Sequence, residues 1–135
     1  MDKLTSVGII DDDKLYSTMV SRQLERADIQ IMFNAQDGKS GIDKLCSMLI
    51  HPQIVIVDIE MPVMDGFEVV KCLKRAWPDL QIIAYSSLTS RETHRQIVAN
   101  GANKFILKQP NALKLIQCIQ NLTLAKVNYR ASQKS

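Results

Sequence analysis

Apolar residues are arranged along the chain in two alternating patterns. Short continuous runs predict five β-strands, and segments with apolar positions three or four residues apart predict five helices. The predicted strands span residues 6–10, 29–34, 54–57, 80–85 and 104–107. The third is the most distinctive, because four consecutive β-branched residues are typical of a strand buried on both faces of a parallel sheet.

Each predicted strand is followed by a predicted helix. The helices cover residues 14–27, a stretch after the Asp37-Gly38 turn, a stretch that leads on from Gly66 and ends before Pro78, and residues 89–99 and 112–127. Their predicted buried positions are Leu15, Met19, Val20, Leu24, Ile42, Leu45, Cys46, Leu49, Phe67, Val70, Leu73, Leu115, Ile116, Ile119 and Leu122. Five strand–helix units in succession predict right-handed crossovers and a doubly wound α/β fold, in which helices cover both faces of a parallel sheet.

The composition suits one globular domain, since 46% of the 135 residues are hydrophobic and 23% are charged. No apolar run approaches the ~20 residues of a membrane-spanning helix, and the N-terminus lacks the apolar core of a signal peptide. We therefore expect a cytoplasmic protein without membrane contact. The domain is expected to occupy residues 1–127, followed by a C-terminal tail or linker at 128–135. Cys46, Cys72 and Cys118 are expected to be reduced thiols packed on helices.

Charge is unevenly distributed, although its net value is only +3. Glu92 is the last acidic residue, and every charged side chain after it is basic. This asymmetry would suit a nucleic-acid or acidic protein partner. A solvated helix face followed by a basic tail is the simpler explanation, so direct nucleic-acid binding by this segment is not expected.

Polar residues follow four of the predicted strands directly. In parallel α/β sheets ligands bind beyond the carboxyl ends of the strands. Three carboxylates after the first strand would repel the phosphates of a dinucleotide, and the glycine-rich turn that such a ligand needs is missing. Clustered carboxylates favour a shared Mg²⁺ ion instead. The residues at the strand ends are Asp11, Asp12, Asp13, Asp58, Ser86, Ser87 and Lys108.

These groups also suit phosphoryl chemistry. A carboxylate such as Asp58 can attack phosphorus when a neighbouring Mg²⁺ screens the repulsion between the two anions. Lys108 would add a second positive charge, and the Ser86 hydroxyl would bind a phosphoryl oxygen. Phosphoryl transfer depends mainly on positioning and charge neutralisation, which this set of residues would supply.

Simpler roles are open for some of the same residues. The three aspartates after the first strand could form a solvated N-cap cluster, and Asp13 is expected to be only a cap. Ser86 could cap the fourth helix, although Ser87 or Thr89 is better placed to do so. Phe105 could be an ordinary core residue.

Four short motifs, each at the end of a predicted strand, together resemble the receiver domain of two-component response regulators. The resemblance covers residues 5–124 and implies the flavodoxin-like, CheY-like (βα)5 fold, a five-stranded parallel sheet with strand order 2-1-3-4-5. The motifs are Ile9-Ile10-Asp11-Asp12, Val57-Asp58-Ile59-Glu60-Met61-Pro62-Val63-Met64-Asp65-Gly66, Ala84-Tyr85-Ser86-Ser87 and Phe105-Ile106-Leu107-Lys108.

The resemblance implies a phosphoacceptor and a metal site. Asp58 would accept a phosphoryl group from a phosphohistidine. Asp12 and Asp58 would bind Mg²⁺ together with the backbone carbonyl of Glu60, and Asp11 would help to position the ion. Glu60 also resembles a position that tunes the lifetime of the phosphate.

The resemblance further implies a conformational switch and partners. Ser86 and Lys108 would contact the phosphoryl group, and movement of Ser86 and Phe105 would reshape the surface of the fourth helix, fifth strand and fifth helix. The implied partners are a sensor histidine kinase or phosphotransfer protein, an output domain or partner protein, and a second copy of the chain in a phosphorylation-dependent homodimer.

Two positions depart from the family pattern. Gln109 stands where proline usually follows the lysine, often after a cis bond. A cis bond before Gln109 would cost about 3 kcal/mol, so a trans bond is expected. Regulators of the LuxR/NarL type also often lack this proline. Tyr85 occupies a position where an aliphatic residue is commoner, and the sequence offers no reason for it.

Two other functions fit parts of the sequence. A haloacid-dehalogenase-like phosphatase also has an Asp-x-Asp motif after its first strand, which would make Asp11 the nucleophile but leave the Asp58 loop unexplained. A pseudo-receiver, an interaction module that works without phosphate, would not need the complete acceptor set. We therefore expect a signalling domain that is not an enzyme, beyond its own phosphorylation and dephosphorylation.

Overall fold

The computed structural model describes residues 4–61, 64–87 and 90–133, with side chains described as far as Leu124. Within these ranges five strands alternate with five helices. The strands are β1 (Ser6–Ile10), β2 (Gln30–Ala35), β3 (Ile54–Asp58), β4 (Gln81–Ser86) and β5 (Lys104–Leu107). The helices are α1 (Lys14–Arg26), α2 (Gly38–Ser47), α3 (Gly66–Ala76), α4 (Arg91–Ala99) and α5 (Leu113–Gln133).

The strands form one parallel sheet in the order β2-β1-β3-β4-β5, which confirms the predicted fold. Every residue of β3 is buried, as its continuous apolar run predicts. From β1 the chain continues to β2 on one side, whereas β3 to β5 are added on the other. The carboxyl ends of β1 and β3 therefore border the crevice where ligands bind in sheets of this kind.

Two hydrophobic cores lie on opposite faces of the sheet, because successive side chains of a strand point to opposite faces. One core joins the sheet to α1 and α5, and the other joins it to α2, α3 and α4. The helical residues in the first core include Val20, Leu24, Leu115, Ile119 and Leu122. Those in the second core include Leu45, Val69, Val70, Leu73 and Ile97.

Three predictions of buried helical residues are wrong. Leu15 is 85% exposed, because the buried face of α1 is formed by Ser17, Val20, Ser21 and Leu24 instead. Leu49 is fully exposed, since α2 ends at Ser47 and the chain has left the helix there. Cys46 is exposed on α2, although it is a free thiol as expected.

Some helix ends also differ from the prediction. Asp13 caps α1, as expected, and its carboxylate accepts a backbone N–H of the first turn. Ser90 is the cap of α4, and its hydroxyl accepts two backbone N–H groups. The prediction of Ser87 as that cap is therefore wrong, and Thr89 lies outside the described residues. At the other end of the chain, α5 extends past the predicted end at residue 127 to Gln133.

Candidate functional site

The strand register places three polar side chains in one row across the sheet. Ile10 of β1 pairs with Val57 of β3, so the residues that follow them, Asp11 and Asp58, are neighbours. Asp58 in turn pairs with Tyr85 of β4. Side chains that are paired across parallel strands point to the same face, which here is the face covered by α1 and α5.

Asp11, Asp12 and Asp58 form an acidic cluster. Asp11 and Asp58 have relative exposures of only 0% and 1%, whereas Asp12 is exposed. One carboxylate oxygen from each of the three lies within 4.8 Å of the others. Burial, and then the charge of Asp11, raises the pKa of Asp58 from 3.8 to about 8. Buried carboxylates this close need compensating positive charge to ionise together, so the cluster suits a small divalent cation with oxygen ligands.

Lys108 places its ammonium group between the two buried carboxylates. The Nζ atom lies 3.4 Å from Asp11 Oδ2 and 3.4 Å from Asp58 Oδ2. Burial lowers the pKa of Lys108, but Asp11 and Asp58 outweigh this effect and hold the pKa above its ordinary value. The backbone N–H of Lys108 donates to the carbonyl of Ser86 at 2.9 Å, which ties the end of β5 to the end of β4.

Two tyrosines, which the sequence did not point to as site residues, surround the lysine. The buried Tyr85 donates its hydroxyl to Asp11 Oδ2, which accounts for the aromatic residue at this position. Burial, and then the charge of Asp11, keeps the pKa of Tyr85 well above its ordinary value, so the hydroxyl stays a donor. Lys108 Nζ lies 4.7 Å from the centroid of the Tyr16 ring and 5.0 Å from that of Tyr85.

The side chain of Glu60 binds both serines after β4. Its Oε1 accepts hydrogen bonds from the Ser86 hydroxyl at 2.6 Å and from the Ser87 N–H and hydroxyl, each at 2.7 Å. The hydrogen bond from Ser86, together with those from Ser87, lowers the pKa of Glu60. The backbone N–H of Glu60 donates to Asp58 Oδ1 at 3.0 Å. Metal binding by the backbone carbonyl of Glu60 stays a prediction.

Phe105 of β5 is half-buried and packs against the core that includes α4. Its ring stacks on the imidazole of His94 with a centroid separation of 4.9 Å and an interplanar angle of 21°. His94 lies on the exposed side of α4, as expected. This stack connects β5 to α4, and the proposed switching role of Phe105 stays a prediction.

Gly66, the first residue of α3, lies in close contact with the backbone of Asp58. A Cβ atom on Gly66 would overlap the carbonyl oxygen of Asp58 and the Cα of Ile59, so only glycine fits at the start of α3. The Gly66 N–H donates to the Ile59 carbonyl at 3.2 Å.

The peptide bond between Lys108 and Gln109 is trans, as expected, and the described residues contain no cis bond. Pro62 and Val63 of the intervening loop lie outside the described residues.

Comparison with known proteins identifies the family. The family model of the response regulator receiver domain matches residues 7–120. This chain belongs to the response regulator receiver family.

The relatives of this receiver include larger proteins. Protein-glutamate methylesterase/protein-glutamine glutaminase 2 of Caulobacter vibrioides is 40% identical over 111 residues, which is 81% of this chain and 31% of that protein. The transcriptional regulatory protein DegU of Brevibacillus brevis is 25% identical over 84% of this chain and 48% of that protein. The receiver spans between a quarter and a half of the length of the curated relatives it matches.

Solved receiver structures share the fold. Chemotaxis protein CheY4 of Vibrio cholerae has a TM-score of 0.80 and 28% identity, with 88% of this chain and 98% of that chain covered. The receiver domain of the response regulator NarL from Mycobacterium tuberculosis has a TM-score of 0.81 over 90% of this chain and 97% of that one, and at 21% identity it supports the fold alone. Neither the phosphatase nor the pseudo-receiver interpretation is favoured by these matches.

Receiver domains are signalling modules, and the residues that the sequence predicted for this one do converge. The structure brings together Asp11, Asp12, Asp58 and Lys108. Ser86 is linked to this group by Glu60, whose side chain accepts the Ser86 hydroxyl and whose backbone N–H donates to Asp58. Tyr85 could have been found by aligning the predicted strands, because β3 and β4 pair Asp58 with it. No comparable pattern indicates Tyr16 or the hydrogen bonds that the Glu60 side chain accepts from Ser86 and Ser87. The described part of the chain has no helix long and apolar enough to cross a membrane.

Proposed function

We propose that Asp58 accepts a phosphoryl group from a sensor histidine kinase or a phosphotransfer protein. The observation that carries this proposal is the position of the buried Asp58 carboxylate, which lies 3.4 Å from Lys108 Nζ and beside the buried carboxylate of Asp11. A nucleophile, a fixed cation and a cation-attracting cluster in one crevice are the groups that phosphoryl transfer requires.

Mg²⁺ is the cofactor that fits these residues. Carboxylate oxygens of Asp11, Asp12 and Asp58 come within 4.8 Å of one another, and all are hard oxygen donors. Asp12 and Asp58 would bind the ion with the backbone carbonyl of Glu60, and Asp11 would help to position it. When bound, the ion would screen the repulsion between the acceptor carboxylate and the incoming phosphoryl group.

In the transfer, an oxygen of the Asp58 carboxylate forms a bond to phosphorus while the bond from phosphorus to the histidine nitrogen of the donor breaks. The electron pair of the broken bond returns to that nitrogen. Lys108 Nζ, which already contacts the carboxylate, pairs with the negative charge of the transferred group. Hydrolysis by water later restores the carboxylate and releases inorganic phosphate.

Release of Ser86 from Glu60 would couple phosphorylation to the surface of the domain. The Ser86 hydroxyl can donate to only one strong acceptor at a time, and a phosphoryl oxygen on Asp58 would compete with Glu60 Oε1 for it. Movement of Ser86 with Phe105, which stacks on His94 of α4, would reshape the surface of α4, β5 and α5. That surface would act on an output domain or partner protein, or pair with a second copy of the chain.

The domain then functions by contact and not by turnover of a substrate. We place the receiver at residues 1–127 and a tail or linker, into which α5 continues as far as Gln133, at 128–135. We place its function in the cytoplasm, where sensor kinases carry their phosphohistidine. Its own phosphorylation and dephosphorylation would be the only reactions that it catalyses.

The test is labelling of the protein by a small phosphodonor in Mg²⁺, followed by intact mass and by mapping of the labelled peptide. Wild-type protein should gain one phosphoryl group, and Asp58→Asn should gain none. Asp43→Asn serves as the matched control, because Asp43 is an exposed aspartate on α2 and should be labelled normally. Label that persists in Asp58→Asn would overturn the assignment, and label mapped to Asp11 would favour the phosphatase instead.

A further inference from the structure

The hydroxyl of Tyr16 is one of two side-chain groups of α1 that, among the described residues, bond to the loop between β5 and α5, the other being Gln23 Oε1, which accepts the Ala112 N–H. The Tyr16 hydroxyl donates to the backbone carbonyl of Gln109 at 2.8 Å and accepts the backbone N–H of the same residue at 3.1 Å. Both polar backbone groups of Gln109 are therefore satisfied by one side chain from a distant part of the sequence. Gln109 is the residue immediately after Lys108, so this pair of hydrogen bonds fixes the backbone where the lysine side chain begins.

The ring of Tyr16 contacts the other end of the same lysine. Lys108 Nζ lies 4.7 Å from the centroid of the Tyr16 ring, and the Tyr16 and Tyr85 rings are 5.7 Å apart. Burial raises the pKa of Tyr16, which keeps its hydroxyl protonated and able to donate. Tyr16 thus contacts both the backbone next to Lys108 and the ammonium group, which also lies 3.4 Å from the carboxylates of Asp11 and Asp58.

We propose that Tyr16 is a positioning residue that sets the place of Lys108 for phosphoryl transfer to Asp58. A lysine side chain has several rotatable bonds, and fixing it costs conformational entropy that must be recovered elsewhere. The two hydrogen bonds to Gln109 fix the start of the side chain, and the aromatic face fixes its end. This inference rests on the function proposed for Asp58, and Tyr16 itself does not contact the reacting atoms.

Tyr16→Phe separates the two contributions, because it removes both hydrogen bonds and keeps the ring beneath the ammonium group. With saturating Mg²⁺ and a small phosphodonor, labelling of Asp58 should slow about five- to tenfold, because only part of the stabilisation from the two lost hydrogen bonds acts on the position of the lysine. Mg²⁺ affinity, measured by calorimetry, should stay within about twofold, since Tyr16 is outside the carboxylate cluster.

Thr123→Val is the matched control. Thr123 is a half-buried residue of α5 whose hydroxyl pairs with that of Thr5 and donates to the Ile119 carbonyl at 3.0 Å. It lies near the start of β1, at the amino-terminal ends of the strands, whereas the site lies at their carboxyl ends. Like Tyr16→Phe, this variant removes one hydroxyl that links a helix to a distant part of the chain. Its labelling rate should stay within about twofold of that of the wild type.

A double-mutant cycle with Lys108→Ala tests whether Tyr16 acts through the lysine. If it does, Tyr16→Phe should change the labelling rate of Lys108→Ala by less than about twofold, and long labelling times keep the slow rates measurable. Amide hydrogen exchange of the metal-free protein gives a second readout. The Gln109 amide should be protected in wild-type protein and in Thr123→Val, and should exchange faster in Tyr16→Phe.

Each result decides the matter. An unprotected Gln109 amide in wild-type protein, a normal labelling rate for Tyr16→Phe, or an equal slowing of wild-type and Lys108→Ala backgrounds would overturn the positioning role and leave Asp58 as acceptor. Absence of label on wild-type protein would instead overturn the proposed function, and the role of Tyr16 with it.

Discussion

Asp58 should destabilise the metal-free domain, and its replacement by asparagine should stabilise it. The Asp58 carboxylate is buried beside that of Asp11, with Lys108 as the nearby cation. One cation faces two buried carboxylates, so ionising both of them is unfavourable before any divalent cation binds. An asparagine side chain has nearly the same shape as aspartate but no charge, so Asp58→Asn isolates the electrostatic cost.

The size of the effect follows from the shift in the pKa of Asp58 from 3.8 to about 8 on folding. Between these values the folded state binds more protons than the unfolded state, so the free energy of unfolding falls as the pH rises. At about 1.4 kcal/mol per pKa unit, the penalty is about 4 kcal/mol at pH 7 and less than half of that at pH 5. Local rearrangement and entry of water reduce it, and we expect a gain of about 2–4 kcal/mol for Asp58→Asn at pH 7.

Urea unfolding in EDTA measures this gain, with fluorescence of Trp77 as the reporter. Trp77 is the single tryptophan and packs half-buried against the core at the C-terminal end of α3, whereas Asp58 lies beside the N-terminal end of that helix. The advantage of Asp58→Asn over wild type should shrink by more than half from pH 7 to pH 5, and it should also shrink when Mg²⁺ is added, because the ion stabilises the wild type. Asp43→Asn should show no comparable gain. Equal stability of the two proteins at pH 7, or a gain that does not depend on pH, would refute this account of the cluster.

Three further predictions concern the surroundings of the cluster. Tyr85→Phe removes the buried donor to Asp11 and should lower the free energy of unfolding by about 1–3 kcal/mol in urea, and unchanged stability would mean that this hydrogen bond contributes nothing. Gly66→Ala forces a Cβ against the Asp58 backbone and should cost about 1–3 kcal/mol while slowing the labelling of Asp58, and normal labelling would show that the loop adapts freely. The Ser87 amide, which donates to Glu60, should shift in NMR spectra with a midpoint below 4.5, the ordinary pKa of glutamate, and a midpoint at or above that value would contradict the hydrogen-bonded arrangement.

The fold was predictable because its determinants are local and periodic. The β-branched run of β3 and the regular alternation of strands and helices indicate a parallel sheet, and the observed strand order agrees with the one implied by the resemblance. The errors fall where local pattern and tertiary packing differ. Leu15 was expected to be buried, but α1 buries Ser17 and Ser21 beside the correctly predicted Val20 and Leu24.

The site was only partly predictable, and the reason is the range over which its residues interact. Asp11, Asp58 and Lys108 follow strands directly, so topology alone brings them to one edge of the sheet. The resemblance pointed to Glu60 as a position that tunes the lifetime of the phosphate. The contacts of its side chain, and those of Tyr16, depend on loop conformation and helix orientation, neither of which leaves a pattern in the sequence. Tyr16 meets Gln109 across 93 residues of chain, and only the packing of α1 on the sheet brings them together.

Tyr16 also bears on how this receiver restrains the backbone after Lys108 without a proline. Gln109 retains the backbone N–H that a proline would lack, and this N–H is one of the two groups that the Tyr16 hydroxyl binds. Proline would restrict the backbone by its ring, whereas here a hydrogen-bonded side chain from α1 restricts it. The restraint on Lys108 thus depends on the position of α1, so a partner that moves α1 would change the lysine and the acceptor site together.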